Sequence, residues 1–163
     1  MARIVKKPGY VFAFPTEEGQ HGYCQWLPHL VRVFKVSTNV DLALDEILRL
    51  PESFAVMIFA DTPARYGWTK VGSGPYPERF EEHPWFAKQD CITGKITRYR
   101  AGIEEAASYE EVKDLETVAA WAHPHIVERL MADIRGEESS FFRAVSVKPI
   151  QDETQQPRIT EDH

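Results

Sequence analysis

The chain has 163 residues, 43% of them hydrophobic and 12% aromatic, which suits one domain with a core of its own. A formal net charge of -6 argues against nucleic acid and anionic membranes as partners, because both reward basic surfaces. No apolar run approaches a membrane span, the opening "MARIVKKPGYVFAF" lacks a secretory h-region, and Cys24 and Cys91 stand in unrelated contexts. A cytoplasmic protein with free thiols is expected.

Residues 10–27 predict a β-hairpin, with the aromatic and β-branched "YVFAF" and "YCQWL" joined by the turn formers of "PTEEGQHG". In "LVRVFKVST" apolar groups fall on both faces, which predicts an inner strand over 30–38. "DLALDEILRL" predicts a short helix over 41–50 with Asp41 as N-cap and Pro51 as its stop. The apolar run "SFAVMIFA" (53–60) reads as the most buried strand, and "DTPAR" turns it into an antiparallel partner, "YGWTKVG" (66–72).

Residues 73–90 contain several prolines and no clean period, so a long aromatic-anchored loop is expected, with a helical turn at "ERFEE". One or two short strands follow over 91–100. Ser108 and Glu111 form an S-x-x-E capping box, and Val112, Leu115, Val118 and Ala119 supply a buried stripe for the helix after it. A second helix from about 124 carries Ile126, Val127, Leu130, Met131 and Ile134 on one side and ends at Gly136. "FFRAVSVK" reads as a last strand.

Strands first and helices last define an α+β class: a single domain over 1–148, mainly an antiparallel, twisted or partly barrel-like sheet with two C-terminal helices packed on it. The polar stretch 149–163 is expected to be a disordered tail.

The most suggestive chemistry is "WAHPHIVERL", because H-x-H pairs open many metal sites. On a strand His123 and His125 would share a face, but at a helix start their side chains stand roughly 200° apart around the axis. Pro124 suits the first helical position, so the pair reads as a helix entry with His123 as N-cap and both imidazoles on the surface. His21 and Cys24, at an odd offset on one strand, point to opposite faces. A site assembled from His21, Asp61 and His123 would need the fold to gather them. No G-x-S-x-G elbow, P-loop or G-x-G-x-x-G fingerprint occurs. The carboxylate pairs, including Glu17-Glu18, Glu81-Glu82 and Glu104-Glu105, lie in loop-like stretches and read as solvated charge.

Three segments carry a family signal: "KPGYVFAFPTEEGQHGYCQWL", then "WTKVG" with "PWFAKQD", then "AAWAHPHIVERL". In order and spacing this combination, over residues 5–135, resembles the immunity protein 26 family of bacteria. The resemblance implies a cytoplasmic protein that binds and neutralises a toxin. The same family name is attached to small phosphotriesterases of the coroxon-hydrolysing type, so it also implies a hydrolase alternative. It brings no catalytic residues, and the matching Gly9, Trp68, Gly72, Phe86 and Asp90 read as structural.

Two function classes therefore stand, with a toxin-independent interaction module as a blander third. A binder would meet a basic toxin domain through Glu17, Glu18, Glu81, Glu82, Trp85, Glu110 and Asp114. A hydrolase would act on an organophosphate triester with His21, Cys24, Asp61, His123 and His125 as the side chains to try. No metal or other cofactor is expected for the binder; a divalent metal enters only with the hydrolase.

Overall fold

Strands β1 (Tyr10–Pro15) and β2 (His21–Trp26) form the expected hairpin, with Val11 opposite Gln25 and Phe12 opposite Cys24. They belong to a computed structural model that describes residues 3–150. Next come β3 (Val31–Phe34), helix α1 (Leu44–Leu48) and β4 (Glu52–Ile58). A single helical turn, α2 (Thr62–Arg65), leads to β5 (Thr69–Ser73). The large sheet runs β5-β1-β2-β3-β4-β9, where β9 (Ala120–Trp121) pairs parallel to β4 and every other neighbour is antiparallel. Strand β3 is inner, as its two apolar faces require.

One face of this sheet presents Phe12, Phe14, Cys24, Val33, Phe54 and Val56 to helix α4 (His123–Arg135), whose Ile126 and Leu130 are fully buried. The other presents Val11, Tyr23 and Phe34 to Ile47 of α1. Trp68, just before edge strand β5, reaches His123, just after the opposite edge strand β9. The sheet therefore curls until its two ends meet through side chains, but it does not close into a barrel.

A second sheet, β6-β7-β8, consists of β6 (Phe86–Gln89), β7 (Ile96–Arg100) and β8 (Ile103–Ala106), all antiparallel. Helix α3 (Tyr109–Val112) packs on it through Val112, which shares a cluster with Ala87, Ile96 and Val147. Residues 116–121 join the two sheets: Ala87 N donates to Glu116 O (2.8 Å), Val118 N donates to Ala87 O (3.0 Å), and β9 then pairs with β4. The architecture is the expected single α+β domain.

Several elements depart from the sequence expectation. Strand β5 pairs with β1, not with β4; the turn of helix at α2 carries the chain to the far edge, and β9 takes the open side of β4. The most buried strand is β3, all four of whose residues are buried, whereas β4 alternates. The predicted 73–90 loop ends at Trp85, because Phe86–Gln89 pairs with β7; the helical turn within it is a 3-10 turn over Glu78–Phe80. Helix α1 has Ala43, not Asp41, at its N-cap, without a side-chain cap.

The Ser108–Glu111 capping box is present, but α3 lasts one turn. Pairing of 116–121 with both sheets holds that stretch extended and leaves Val118 exposed, so tertiary hydrogen bonds override the helical pattern. "FFRAVSVK" is not a strand: α5 (Ser140–Val145) begins where the Ser139 hydroxyl accepts from Phe142 N. The C-terminal helix pair is thus α4 and α5. Pro149 and Ile150 are exposed, and the rest of the expected tail lies outside the described residues.

Candidate functional site

Helix α4 starts one residue earlier than the sequence suggests, with Ala122 as N-cap and His123 as first helical residue. His123 then precedes Ile126 by three positions and Leu130 by seven, so it opens the buried stripe and is not a surface histidine. Its ring stacks on Tyr66 (4.5 Å, 12°), and its Nδ1 accepts from the indole N–H of Trp68 at 3.0 Å. With Nδ1 accepting, the ring proton of the neutral form sits on Nε2. Burial holds the His123 pKa below the ordinary histidine value. His125 instead lies flat on Phe141 of α5 (3.7 Å, 7°). The two imidazoles diverge, as a helix entry requires.

The other candidate catalytic side chains are also kept apart. His21 meets the Tyr23 hydroxyl (2.8 Å) and Asp41 (3.6 Å), on the α1 face of the sheet. Cys24 faces the α4 core and is fully buried, which raises its thiol pKa well above the ordinary range. Asp61 is exposed at the start of α2 and makes no capping hydrogen bond. The structure does not bring His21, Cys24, Asp61, His123 and His125 to one point. Among the described residues no three His, Cys, Asp or Glu side chains are gathered so as to hold a metal ion.

The candidate binding residues form three separate patches. Glu17 pairs with Arg135 at the end of α4, beside Glu18. Glu110 pairs with Lys113 (2.7 Å) on α3, with Asp114 exposed after it. The third patch is composite: Trp85 lies under the guanidinium groups of Arg98 (4.4 Å) and Arg100 (5.6 Å), and Glu82 reaches Arg100 (3.6 Å). Glu81 accepts from the Tyr76 hydroxyl (2.7 Å) in the same loop. Arg98 and Arg100 were not foreseen here; their signal was the i, i+2 spacing, which puts both on one face of β7.

Sequence reasoning also missed two buried polar nodes. Gln25 donates through Nε2 to the carbonyls of Gly9 (3.3 Å), Gly74 (2.9 Å) and Pro75 (3.2 Å), and its Oε1 accepts from Arg32 Nε (2.8 Å). Burial lowers the Arg32 pKa, and nearby Glu52 opposes that shift. A register shift between Val33 and Phe34 turns Glu52 onto the Phe34 side, where Arg79 reaches it (3.4 Å). In the second node Arg129 grips Glu116 with both terminal nitrogens (3.0 and 2.6 Å) while lying over the rings of Phe54, Trp121 and Phe142. An arginine amid apolar neighbours in "HIVERLM" was its only trace in the sequence.

Gly9, Trp68, Gly72, Phe86 and Asp90, read above as structural, are placed accordingly. A Cβ on Gly9, whose φ is +96°, would lie 3.0 Å from Gly74 O, and one on Gly72 would lie 2.8 Å from a Leu44 methyl. Trp68 and Phe86 are buried, and Asp90 accepts from the amides of Ile92 and Thr93 (both 2.8 Å) to shape a turn.

The molecule is thus a small α+β protein on a curled open sheet, with Cys24 and His123 buried, His125 against Phe141, His21 on the α1 face and Asp61 exposed. The chain belongs to the immunity protein 26 family, whose model, described as Immunity protein 26, matches residues 7–96, more than half of the sequence. The matched part ends at the start of β7, so "AAWAHPHIVERL" lies outside it. No curated protein and no solved structure matches the chain significantly.

Proposed function

We propose that this protein is an immunity protein that binds and neutralises a toxin in the cytoplasm of the cell that carries it. Membership of the immunity protein 26 family is the observation that carries this reading. Two features agree with it: the dispersed candidate catalytic residues, and a net charge of -6, which favours encounter with a basic toxin domain. On the surface, Trp85 with Arg98 and Arg100 offers the residue types that dominate binding hot spots, with Glu82 at its rim.

The test is co-expression with the toxin domain encoded beside the gene. Growth should be rescued, and the two proteins should co-purify as a stable complex. Absence of both rescue and complex overturns the reading. Turnover of an organophosphate triester by the purified protein, abolished by a chelator, would favour the hydrolase instead.

A further inference from the structure

Among the described residues, three sheet edges are four or more residues long: β6 is bonded at Ala87 by residues 116–118, and the other two, β5 and β8, are not alike. Edge β5 carries the devices that discourage pairing: Val71 is bulged out of register opposite Val11 and Phe12, and Lys70 lies along the strand with its amine over Tyr10 (3.5 Å). Edge β8 carries neither. Its register with β7 runs unbroken from Thr97–Ala106 to Arg100–Ile103, it contains no lysine or proline, and all four of its residues are exposed, Ile103 by 63%. Among the described residues β8 pairs only with β7.

We infer that β8 is a docking edge, to which a strand of a basic partner protein adds antiparallel and extends the small sheet. The inference rests on the reading of this protein as a toxin binder and names the element that does the binding. Backbone amides and carbonyls along the edge would supply the hydrogen bonds, and the side chains the selectivity. Glu104 is held by Lys88 (3.2 Å) and Thr97 (2.8 Å) on one face of the sheet, and Glu105 by Arg98 (3.2 Å) on the other. These inboard partners fix both carboxylates in place yet leave them more than 40% exposed at the edge.

A second copy of this chain does not suit the edge. Twofold pairing of β8 with itself must be antiparallel, and every register that keeps three of its four residues paired sets a glutamate opposite a glutamate. The complementary strand instead has Lys or Arg opposite Glu104 and Glu105 and an apolar residue opposite Ile103. A toxin strand of that pattern is the occupant that the charges select.

The probe is the blocked hexapeptide Thr-Val-Arg-Arg-Val-Thr, titrated into the full chain while backbone amide shifts are followed by NMR. Shifts should concentrate on residues 103–106, and the Glu104→Gln/Glu105→Gln variant should bind at least tenfold more weakly. The peptide Thr-Val-Glu-Glu-Val-Thr should lose most of the affinity for its charge, and Thr-Pro-Arg-Arg-Val-Thr, which keeps both arginines, for its missing N–H. Shifts centred elsewhere, equal binding of the proline peptide, or a dimer that pairs through β8 overturns the proposal. If the double variant disturbs the hairpin, Ile103→Lys, which keeps both carboxylates, serves in its place and should weaken binding similarly. In the toxin assay, rescue by wild type that is undiminished in Ile103→Lys removes β8 as the docking edge and leaves the immunity reading standing. No rescue by wild type removes the immunity reading, while the peptide titration still judges the edge.

Discussion

The indole N–H of Trp68 donates to Nδ1 of His123 across 3.0 Å, joining residues 55 positions apart at opposite ends of the large sheet. Phe14 packs against both rings, and Tyr66 stacks on the imidazole. This buried contact holds the curl of the sheet, and it works only while His123 is neutral, because a protonated Nδ1 cannot accept.

Stability should therefore fall on acidification. The folded-state pKa of His123 is lowered by burial, while the unfolded chain keeps the ordinary value of about 6.5. Between those two values the unfolded state binds more protons, so the stabilisation is complete above about pH 6.5 and is lost as pH drops toward the folded value. Urea midpoints at pH 7.5 and 5.5 check this. The wild type should lose more between them than His123→Gln, which starts weaker at pH 7.5. Trp68→Phe should cost about 1 kcal/mol at pH 7.5 for the hydrogen bond. An equal acid loss in wild type and His123→Gln would remove His123 as the cause.

The same residue shows how far the sequence could be read. The helix, its Pro124 entry and its Gly136 stop were all legible, because capping and periodicity are local. Placing His123 in the cap hid the fact that it stands three and seven positions before Ile126 and Leu130, on the buried stripe. The opposite facing of His21 and Cys24 followed from strand alternation alone. What could not be read was pairing: that β5 joins β1 depends on the whole sheet order, and 116–121 is extended because two sheets bond to it. Strand β8 escaped notice since "IEEA" lacks the apolar alternation of a strand with a buried face. No local signal tells that Glu82 and Trp85 share Arg100, while Glu17 pairs with Arg135 and Glu110 with Lys113.

Arg129 should be the costliest single charge to remove. Its side chain is largely buried, doubly bonded to Glu116 and stacked on three aromatic rings. Arg129→Ala strands Glu116 and opens the packing at α5, and should cost about 2 to 3 kcal/mol in equilibrium unfolding. Arg129→Lys keeps the charge but loses the fork and the flat stacking, and should recover less than half of that. A lysine variant as stable as wild type would show that charge alone suffices.

The two thiols should differ in reactivity by orders of magnitude. Cys24 is fully enclosed, and burial keeps its thiol protonated, whereas Cys91 is exposed in the turn after β6. Ellman's reagent should titrate one thiol promptly in the native protein and the second only on unfolding. Cys91→Ser should abolish the fast phase without altering the slow one. Prompt labelling of both thiols would mean that the α4 face of the sheet opens readily to solvent.

The hairpin that presents β8 carries the only non-glycine residue with positive φ among the described residues: Ala101, at 47°, followed by Gly102 at 86°. Both central residues of the two-residue turn between Arg100 and Ile103 are thus left-handed, as a type I′ turn demands, and alanine suits that conformation poorly. Left-handed backbone costs an L-residue roughly 1 kcal/mol, a cost that asparagine partly relieves by local hydrogen bonding. Ala101→Asn should therefore stabilise the protein by about 0.5 kcal/mol, and Ala101→Val, β-branched at the same angle, should destabilise it by more than about 1 kcal/mol. Urea unfolding measures both. Amide exchange should slow in the asparagine variant across β7 and β8 and leave the large sheet unchanged. Since residue 101 faces no packed neighbour of the core clusters, stabilisation by valine instead would show that the turn relaxes out of this conformation in solution.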